Sequence, residues 1–424
     1  MNKAVFTSID GGTAHRALIL QEIENASVHS WHSGRQARLD IMCFAFTDKT
    51  IAKALITFLD TTPQAQVRIL ADWGQGAKAS ASVVRYLADL DRDDLSVRIK
   101  ADAPYFRDPE TGEVRWGYLQ SQGMLHHKTL GVVLQGVTER MVLGSFNWSN
   151  RGSRAYENTL LLERSDDTAA TLDAFTDELD ALWDCDDATM PITLSSAFAE
   201  RARDMVSKGA DLTDKTTLEE LRGHPEKSFV TAASQMIEHC NIVPAFSGRY
   251  MAATQPHYGF SPRNAAKKLD LLRPWGTRKP APVTINSIAL EAIRSVPSGH
   301  RIDVAMYAMS PRAPEFTALL EAAQRGCKLR VLLDGTLSKD TAQRLARHAN
   351  QKDLPIEICT TNRRMHQKYI VAPMDDTVVT GTANMTEDAA ARHADHRLLF
   401  RNSPEMTAAF AHDFQTIWQR VDHP

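Results

Sequence analysis

Apolar residues along the chain fall into short continuous runs alternating with amphipathic stretches, and the whole alternation occurs twice. The run at 38–46, RLDIMCFAF, is almost unbroken, as expected of a strand buried on both faces. An amphipathic helix is predicted before it, over 14–25. Another follows over 49–59, with Asp48 at the N-cap position. A second buried strand (67–72), a helix (80–90) and a strand (95–100) continue the pattern. A long polar stretch, 103–123, then delivers the chain to a segment reading LHHKTLGVVL from Leu125. Apolar runs at 141–143 and 159–163 and a helix over 167–183 complete the first copy.

The second half repeats this order. After a helix over 288–295, the strand RIDVAMYA (301–308) echoes RLDIMCFAF. Helix 314–325, strand 328–334, helix 338–348 and strand 355–359 follow, then strands at 377–380 and 396–400 and a closing helix over 405–420. The period is too long for a solenoid and reads as the duplication of one α/β unit. The chain thus divides into a first lobe (1–185), a connecting region (186–283) and a second lobe (284–424). The connecting region matches neither copy. Helices are predicted there over 196–208 and 228–239, before a tail, 254–282, rich in basic, aromatic and proline residues. Arg263, Lys267, Lys268, Arg273, Arg278 and Lys279 stand against Asp270, with Tyr258, Phe260 and Trp275 interleaved. Such a tail can track a sugar-phosphate backbone and stack bases; a crossing linker would have the same composition. The loop before the second HxK segment (360–365) is shorter than its counterpart (103–125). The longer first loop is either a substrate-selecting lid or a plain surface insertion.

The candidate chemistry lies where each copy turns from its polar loop into the sheet. His126 and Lys128 stand two apart, so on a strand both side chains leave the same face. His127 alternates to the other face. Downstream come Gly144, Ser145, Asn147 and then Glu157. The second copy has His366, Gln367 and Lys368, then Gly381, Thr382 and Asn384, then Asp395. A lone HxK is common by chance, but two copies with the same downstream order are not. Imidazole, ammonium, amide, hydroxyl and carboxylate groups gathered at one sheet edge suit a phosphate diester.

This double HxK…GSxN pattern resembles the phospholipase D superfamily of phosphodiesterases and transferases. The resemblance implies two α/β/α sandwich lobes packed about a pseudo-twofold axis, with a helical and loop insertion between them. It implies a covalent phosphohistidine, with His126 as nucleophile and His366 as general acid; chemistry alone does not order the two. Lys128, Lys368, Asn147 and Asn384 would hold the non-bridging oxygens, and Ser145 and Thr382 would bond the same oxygens or brace the turns. In the family the acid of one half supports the histidine of the other. Carried over, Asp395 would orient His126 and Glu157 would orient His366. One departure stands out. The fuller motif, HxKxxxxD, expects aspartates where Val133 and Pro373 stand, and Asp375 and Asp376 are the nearest acids on the second side.

Composition narrows the setting. Hydrophobic residues make up 43% and charged residues 24% of the 424 positions, as in an ordinary globular protein. The net charge of −3 gives no global basic signature, so nucleic-acid binding must rest on local patches, with Arg263, Lys267, Lys268 and Trp275 as candidates. Five scattered cysteines show no metal-ligand spacing, and no run is apolar enough to span a membrane, so a cytoplasmic setting is expected. No cofactor or metal is expected, and one chain carries a complete catalytic set, whether or not it forms homo-oligomers. The residues NWS after GSF, and YEN later, resemble the nuclease branch, so an endonuclease acting on DNA or RNA is the leading expectation. The alternatives are a phospholipase D or transphosphatidylase acting on phospholipid head groups, and a silent nucleic-acid-binding module. The silent module is disfavoured because both His-Lys-Asn sets are intact.

Overall fold

The computed structural model describes residues 2–77, 82–100, 106–107, 114–115, 124–184, 189–210, 215–223, 241–246, 284–387, 389 and 393–421. The first half contributes β1 (Lys3–Phe6), β2 (Ala37–Cys43), β3 (Gln66–Ala71) and β4 (Leu95–Lys100). A two-stranded ribbon of β5 (Phe106–Arg107) and β6 (Val114–Arg115) stands apart. Next come β7 (Lys128–Leu134), β8 (Val137–Gly144), β9 (Asn158–Glu163) and β10 (Thr189–Pro191). Apart from the ribbon these form one eight-stranded sheet in the order β1-β9-β8-β7-β2-β3-β4-β10. The second half contributes β11 (Ile242–Phe246), β12 (Arg301–Met306), β13 (Lys328–Asp334) and β14 (Ile356–Thr361). It continues with β15 (Lys368–Ala372), β16 (Thr377–Gly381) and β17 (His396–Phe400). Their seven-stranded sheet runs β11-β17-β16-β15-β12-β13-β14, which repeats the first order without β10.

In each sheet the three strands carrying the helical connections are parallel and the remaining pairs are antiparallel. The parallel strands are joined through helices such as Lys49–Thr61 and Pro314–Gln324, whose apolar faces cover the sheet. Asp48 caps the first of these, accepting from the Thr50 and Ile51 amides, a contact worth about 1 kcal/mol. The repeat extends to buried polar groups. Asp40 on β2 accepts two bonds from Arg68 at 2.8 Å, and Asp303 on β12 accepts two from Arg330 at 2.8 Å.

Most elements begin and end within a few residues of their expected limits, and the differences have local causes. The helix expected over 14–25 runs through Ala14–Ser33, because nothing breaks it before Gly34, whose left-handed backbone closes it onto Ser30 O. The helix expected over 80–90 is Val83–Ala88, with Ser82 accepting from the Arg85 amide as its cap. Three short edge strands, β1, β10 and β11, were not expected. Two of them lie in or beside the stretch between the copies, which therefore supplies an edge strand to each sheet. The expected helix over 196–208 is present as Ser195–Ser207. That over 228–239, the basic tail at 254–282 and most of the loop at 103–123 lie outside the described residues. Cys43, Cys327 and Cys359 are buried and outside any disulfide.

The lobes are stitched together at two related places. The His126 amide donates to Ala394 O and the Ala394 amide to Met124 O, both at 2.8 Å. In mirror fashion the His366 amide donates to Tyr156 O and the Tyr156 amide to Arg364 O, both at 2.9 Å. Each seam therefore runs through the residue that begins an HxK segment. Apolar packing reinforces the junction: Phe6 of the first lobe meets Phe410 of the closing helix edge-on at 4.9 Å.

At the end of β8 and of β16 the chain passes very close to the neighbouring strand. Gly144 and Gly381 adopt φ of +150° and +151°, and a Cβ on either would lie 2.4 Å from a carbonyl oxygen, of Asn158 or His396. Only glycine meets both conditions, which explains why each turn begins with it. Gly381→Ala is expected to destabilise the fold by about 2–3 kcal/mol. The check is the shift in thermal unfolding against Gly299→Ala, a left-handed position where an added Cβ meets nothing. Equal shifts would show that backbone conformation alone, rather than the close approach, dictates glycine.

Candidate active site

Each HxK segment enters its sheet along an antiparallel strand, β7 or β15, in the middle of the layer. The approach is fixed from behind by a buried aspartate at the end of a parallel strand. Asp72 accepts from the Leu125 amide at 2.9 Å, and Asp334 from the Met365 amide at 3.0 Å. These two acids occupy matching places in VRILAD and LRVLLD, and the repeat alignment alone could have revealed them. The lysines turn back over their own segments, Lys128 Nζ donating to His126 O and Lys368 Nζ to His366 O, both at 2.6 Å.

The carboxylates are exchanged between lobes. His126 Nδ1 lies 2.7 Å from Asp395 Oδ1, and His366 Nδ1 lies 2.9 Å from Glu157. All four side chains are buried. An aromatic ring stands edge-on to each histidine: Phe44 to His126 at 5.2 Å and Tyr307 to His366 at 4.7 Å. Each ring also lies beneath the lysine of the same copy, at 5.3 Å for Lys128 and 5.0 Å for Lys368. Phe44 and Tyr307 follow β2 and β12 at equivalent positions, another pair that the repeat contained.

The other expected residues fall as follows. Asn147 and Asn384 sit in the turns after β8 and β16. Asn384 Oδ1 accepts from the Ala308 amide at 3.2 Å, which fixes that side chain. Ser145 and Thr382 brace the turns: Ser145 Oγ donates to Glu157 at 2.6 Å and accepts from the Asn158 amide, while Thr382 Oγ1 accepts from the His396 amide at 3.0 Å. His127 faces away from this cluster, stacked on His396 at 5.2 Å. Val133 is buried in the core, and Asp375 pairs with His300 at 3.0 Å, so neither motif aspartate has a replacement in the cluster. Arg263, Lys267, Lys268 and Trp275 lie outside the described residues.

The copies are not equivalent electrostatically. Burial, helped by Lys128, pushes His126 down to about 3, against the pull of Asp395. Burial likewise holds His366 well below its ordinary value. Glu157 is pushed up to about 8 by burial, against the pull of Lys368. Burial would raise Asp395 too, but His126 and His393 outweigh it and hold that carboxyl well below the usual range. Burial lowers Lys128 to about 8 and Lys368 to about 7. An anionic phosphate among these groups would favour the charged lysines again. His393, which sequence reading missed, lies 3.4 Å from Asp395 Oδ2, and Ala155 occupies the matching place in the first copy. His126, His393 and Asp395 bring three potential metal-ligand atoms within 4.8 Å of one another. His126 is hydrogen-bonded to Asp395, and His393 lies at ion-pair distance from the same carboxylate. No helix among the described residues is long and apolar enough to cross a membrane.

A family model described as "Cardiolipin synthase, PLD-like domain" matches residues 20–183 and 291–418. No curated protein matches the chain. Among solved structures, phosphatidylserine synthase of Haemophilus influenzae Rd KW20 is similar with a TM-score of 0.63 and 11% identity, over 99% of this chain and 87% of that one. The phospholipase D family member Nuc of Salmonella typhimurium gives 0.30 and 19%, over 43% and 97%. A mutant of the yeast tyrosyl-DNA phosphodiesterase gives 0.45 and 10%, over 95% and 92%. The family match spans both copies and more than half of the sequence, around two HxK segments joined by exchanged carboxylates, and the chain belongs to the phospholipase D superfamily of phosphodiester-acting enzymes.

Proposed function

We propose that this phosphodiester-acting enzyme is a metal-independent nuclease that cleaves DNA or RNA through a covalent phosphohistidine on His126. The observation that supports the phosphohistidine step most is the exchange of carboxylates, Asp395 against His126 Nδ1 and Glu157 against His366 Nδ1. Asp395 is ionised and holds the Nδ1 proton of His126, so His126 Nε2 keeps a lone pair for attack. Glu157 keeps its proton up to about pH 8 and donates it toward His366 Nδ1, so His366 Nε2 carries a proton it can give away. This difference supports His126 as the nucleophile and His366 as the acid.

The step balances within these groups. His126 Nε2 forms a bond to phosphorus as the bond to the leaving oxygen breaks. That oxygen takes the Nε2 proton of His366 while the Glu157 proton moves to Nδ1. Water then attacks the phosphohistidine and returns its proton to the His366–Glu157 pair, freeing His126 and a phosphomonoester. Lys128 and Lys368, with the two asparagines, stabilise the charge on the non-bridging oxygens.

The nucleic-acid reading within phosphodiesters rests on the GSFNWS and YEN residues. Trp148 packs on Phe46 at 5.1 Å and Tyr156 lies in the lobe seam, so this likeness is one of framework rather than of substrate contact. A second reading, hydrolysis or transfer of phospholipid head groups by the same phosphohistidine, is favoured by the cardiolipin synthase description of the matching family. The purified protein in excess EDTA, offered single- and double-stranded DNA, RNA, and choline or anionic phospholipid vesicles, separates the two. Nucleic-acid cleavage that persists in EDTA is expected. Complete loss restored by added metal would point instead to His126, His393 and Asp395 as a metal centre.

The pH dependence follows from the same groups. With His126 lowered to about 3, the nucleophile stays neutral in mild acid, so kcat/KM holds down to about pH 5. It falls from about pH 7 upward, as Lys368, lowered to about 7, and then Lys128 and the Glu157–His366 pair, both near 8, lose their protons. Activity already halved at about pH 6.5, the ordinary histidine value, would show that His126 is not held neutral by burial.

The division of labour is tested by changing the leaving group. A nitrophenyl phosphodiester needs little protonation and should restore the first step in His366→Ala and Glu157→Gln, but not in His126→Ala or Asp395→Asn. Acid-quenched enzyme should carry its phosphoryl label on His126. A label on His366 reverses the assignment.

A further inference from the structure

The second copy carries two cations immediately before its HxK segment that the first lacks. Arg363 and Arg364 stand immediately before Met365 and His366, where the first copy has Gly123 and Met124. Both side chains are exposed, yet both are held in place. Arg364 lies over Tyr307, 4.9 Å from the ring centre, and donates to its hydroxyl at 2.6 Å. Arg363 lies over Tyr156 at 4.7 Å and donates through Nε to Arg154 O at 2.8 Å. The backbone beneath is fixed as well, since Arg364 O accepts from the Tyr156 amide in the lobe seam.

Among the described residues neither guanidinium comes within ion-pair distance of a carboxylate. Immobilising a long charged side chain costs rotamer entropy, and an exposed arginine normally keeps that freedom or spends it on an acid. Here two are stacked side by side without one. A guanidinium stacked on an aromatic face still presents its in-plane N–H groups, the fork that suits phosphate oxygens. Their position matters too. Tyr307, which carries Arg364, is the ring edge-on to His366 and beneath Lys368 Nζ, so Arg364 stands one ring away from the acid. Its charge reaches the cluster, helping to hold His366 and Lys368 down.

We propose that Arg363 and Arg364 bind the phosphate next to the scissile one, on the leaving-group side, so that the enzyme selects a chain of successive phosphodiesters over an isolated one. This rests on the nuclease reading and deepens it by naming the substrate class as a chain of successive phosphodiesters. The first lobe has no matching cations at its HxK segment, so the contact is one-sided and sets the direction in which a strand lies across the site. A lipid with one phosphate would gain nothing from it.

The test uses the full chain with Arg363→Gln, Arg364→Gln and the double variant, against a short single-stranded oligonucleotide and a nucleoside nitrophenyl phosphodiester. For the oligonucleotide, KM is expected to rise roughly tenfold per arginine with kcat changed by less than about twofold. The slope of log kcat/KM against log salt should become shallower by about 0.7 for each arginine removed. For the single-phosphate ester, kcat/KM should change by less than about twofold in Arg363→Gln. Arg364→Lys should keep most of the salt slope, since the charge remains. Equal losses on both substrates would overturn the proposal, because Arg364 would then act only through His366 and Lys368. No change on either would also overturn it. If the unaltered enzyme cleaves phospholipid vesicles and no oligonucleotide, the nuclease reading itself falls, before any variant is compared.

Discussion

The structure depends on the exchange of carboxylates between lobes. A histidine that must attack or protonate needs its far nitrogen fixed, and in each copy the fixing acid belongs to the other copy. Neither lobe can form a working pair alone, whatever its own stability. The seam reflects this. Tyr156, which precedes Glu157, bonds through its backbone to the residues flanking Met365, and Ala394, which precedes Asp395, does the same around Leu125. The hydrogen bonds that join the lobes are thus one residue away from those that orient the histidines. Docking and assembly of the site are a single event.

On the proposed reading, the division of roles follows from small departures from symmetry. Ser145 donates to Glu157, whereas Thr382 bonds only to backbone and leaves Asp395 to His126 and His393. Glutamate against aspartate, serine against threonine, and Ala155 against His393 are modest differences. Burial raises Glu157 although Lys368 and the Ser145 hydroxyl pull it down, whereas His126 and His393 outweigh burial at Asp395 and hold it low. A duplicated unit starts with two identical halves, and an in-line displacement needs two different ones. Burial supplies the leverage, because in a dry cluster a single added donor changes which group holds the proton.

Much of this could be read from the sequence because the duplication wrote it twice. The pairs His126 and His366, Lys128 and Lys368, and Glu157 and Asp395 are separated by similar spacings, and the strand RLDIMCFAF returns as RIDVAMYA. What stayed hidden was hidden for physical reasons. The edge strands β1, β10 and β11 are short, and short strands carry too few residues for an alternation to show. Phe44, Tyr307, Asp72 and Asp334 lie at strand ends, where an aromatic or an acid has an ordinary structural reading. Their catalytic neighbourhood appears only when the copies are laid over each other. His393 and the paired arginines have no counterpart in the other half, and a search for repetition passes over them.

Those unrepeated residues carry the information that the symmetric set cannot. Two HxK segments with lysines and asparagines define a site for one phosphate, approached equally well from either side. Direction and substrate length must come from whatever breaks the twofold relation. His393 stands against the carboxylate that holds His126, and Arg363 and Arg364, stacked on Tyr156 and Tyr307, immediately precede Met365 and His366. Both departures belong to the second copy, while the longer loop, 103–125, belongs to the first. On the proposed reading, the duplicated framework sets what bond is broken, and the unduplicated residues set which molecule presents it.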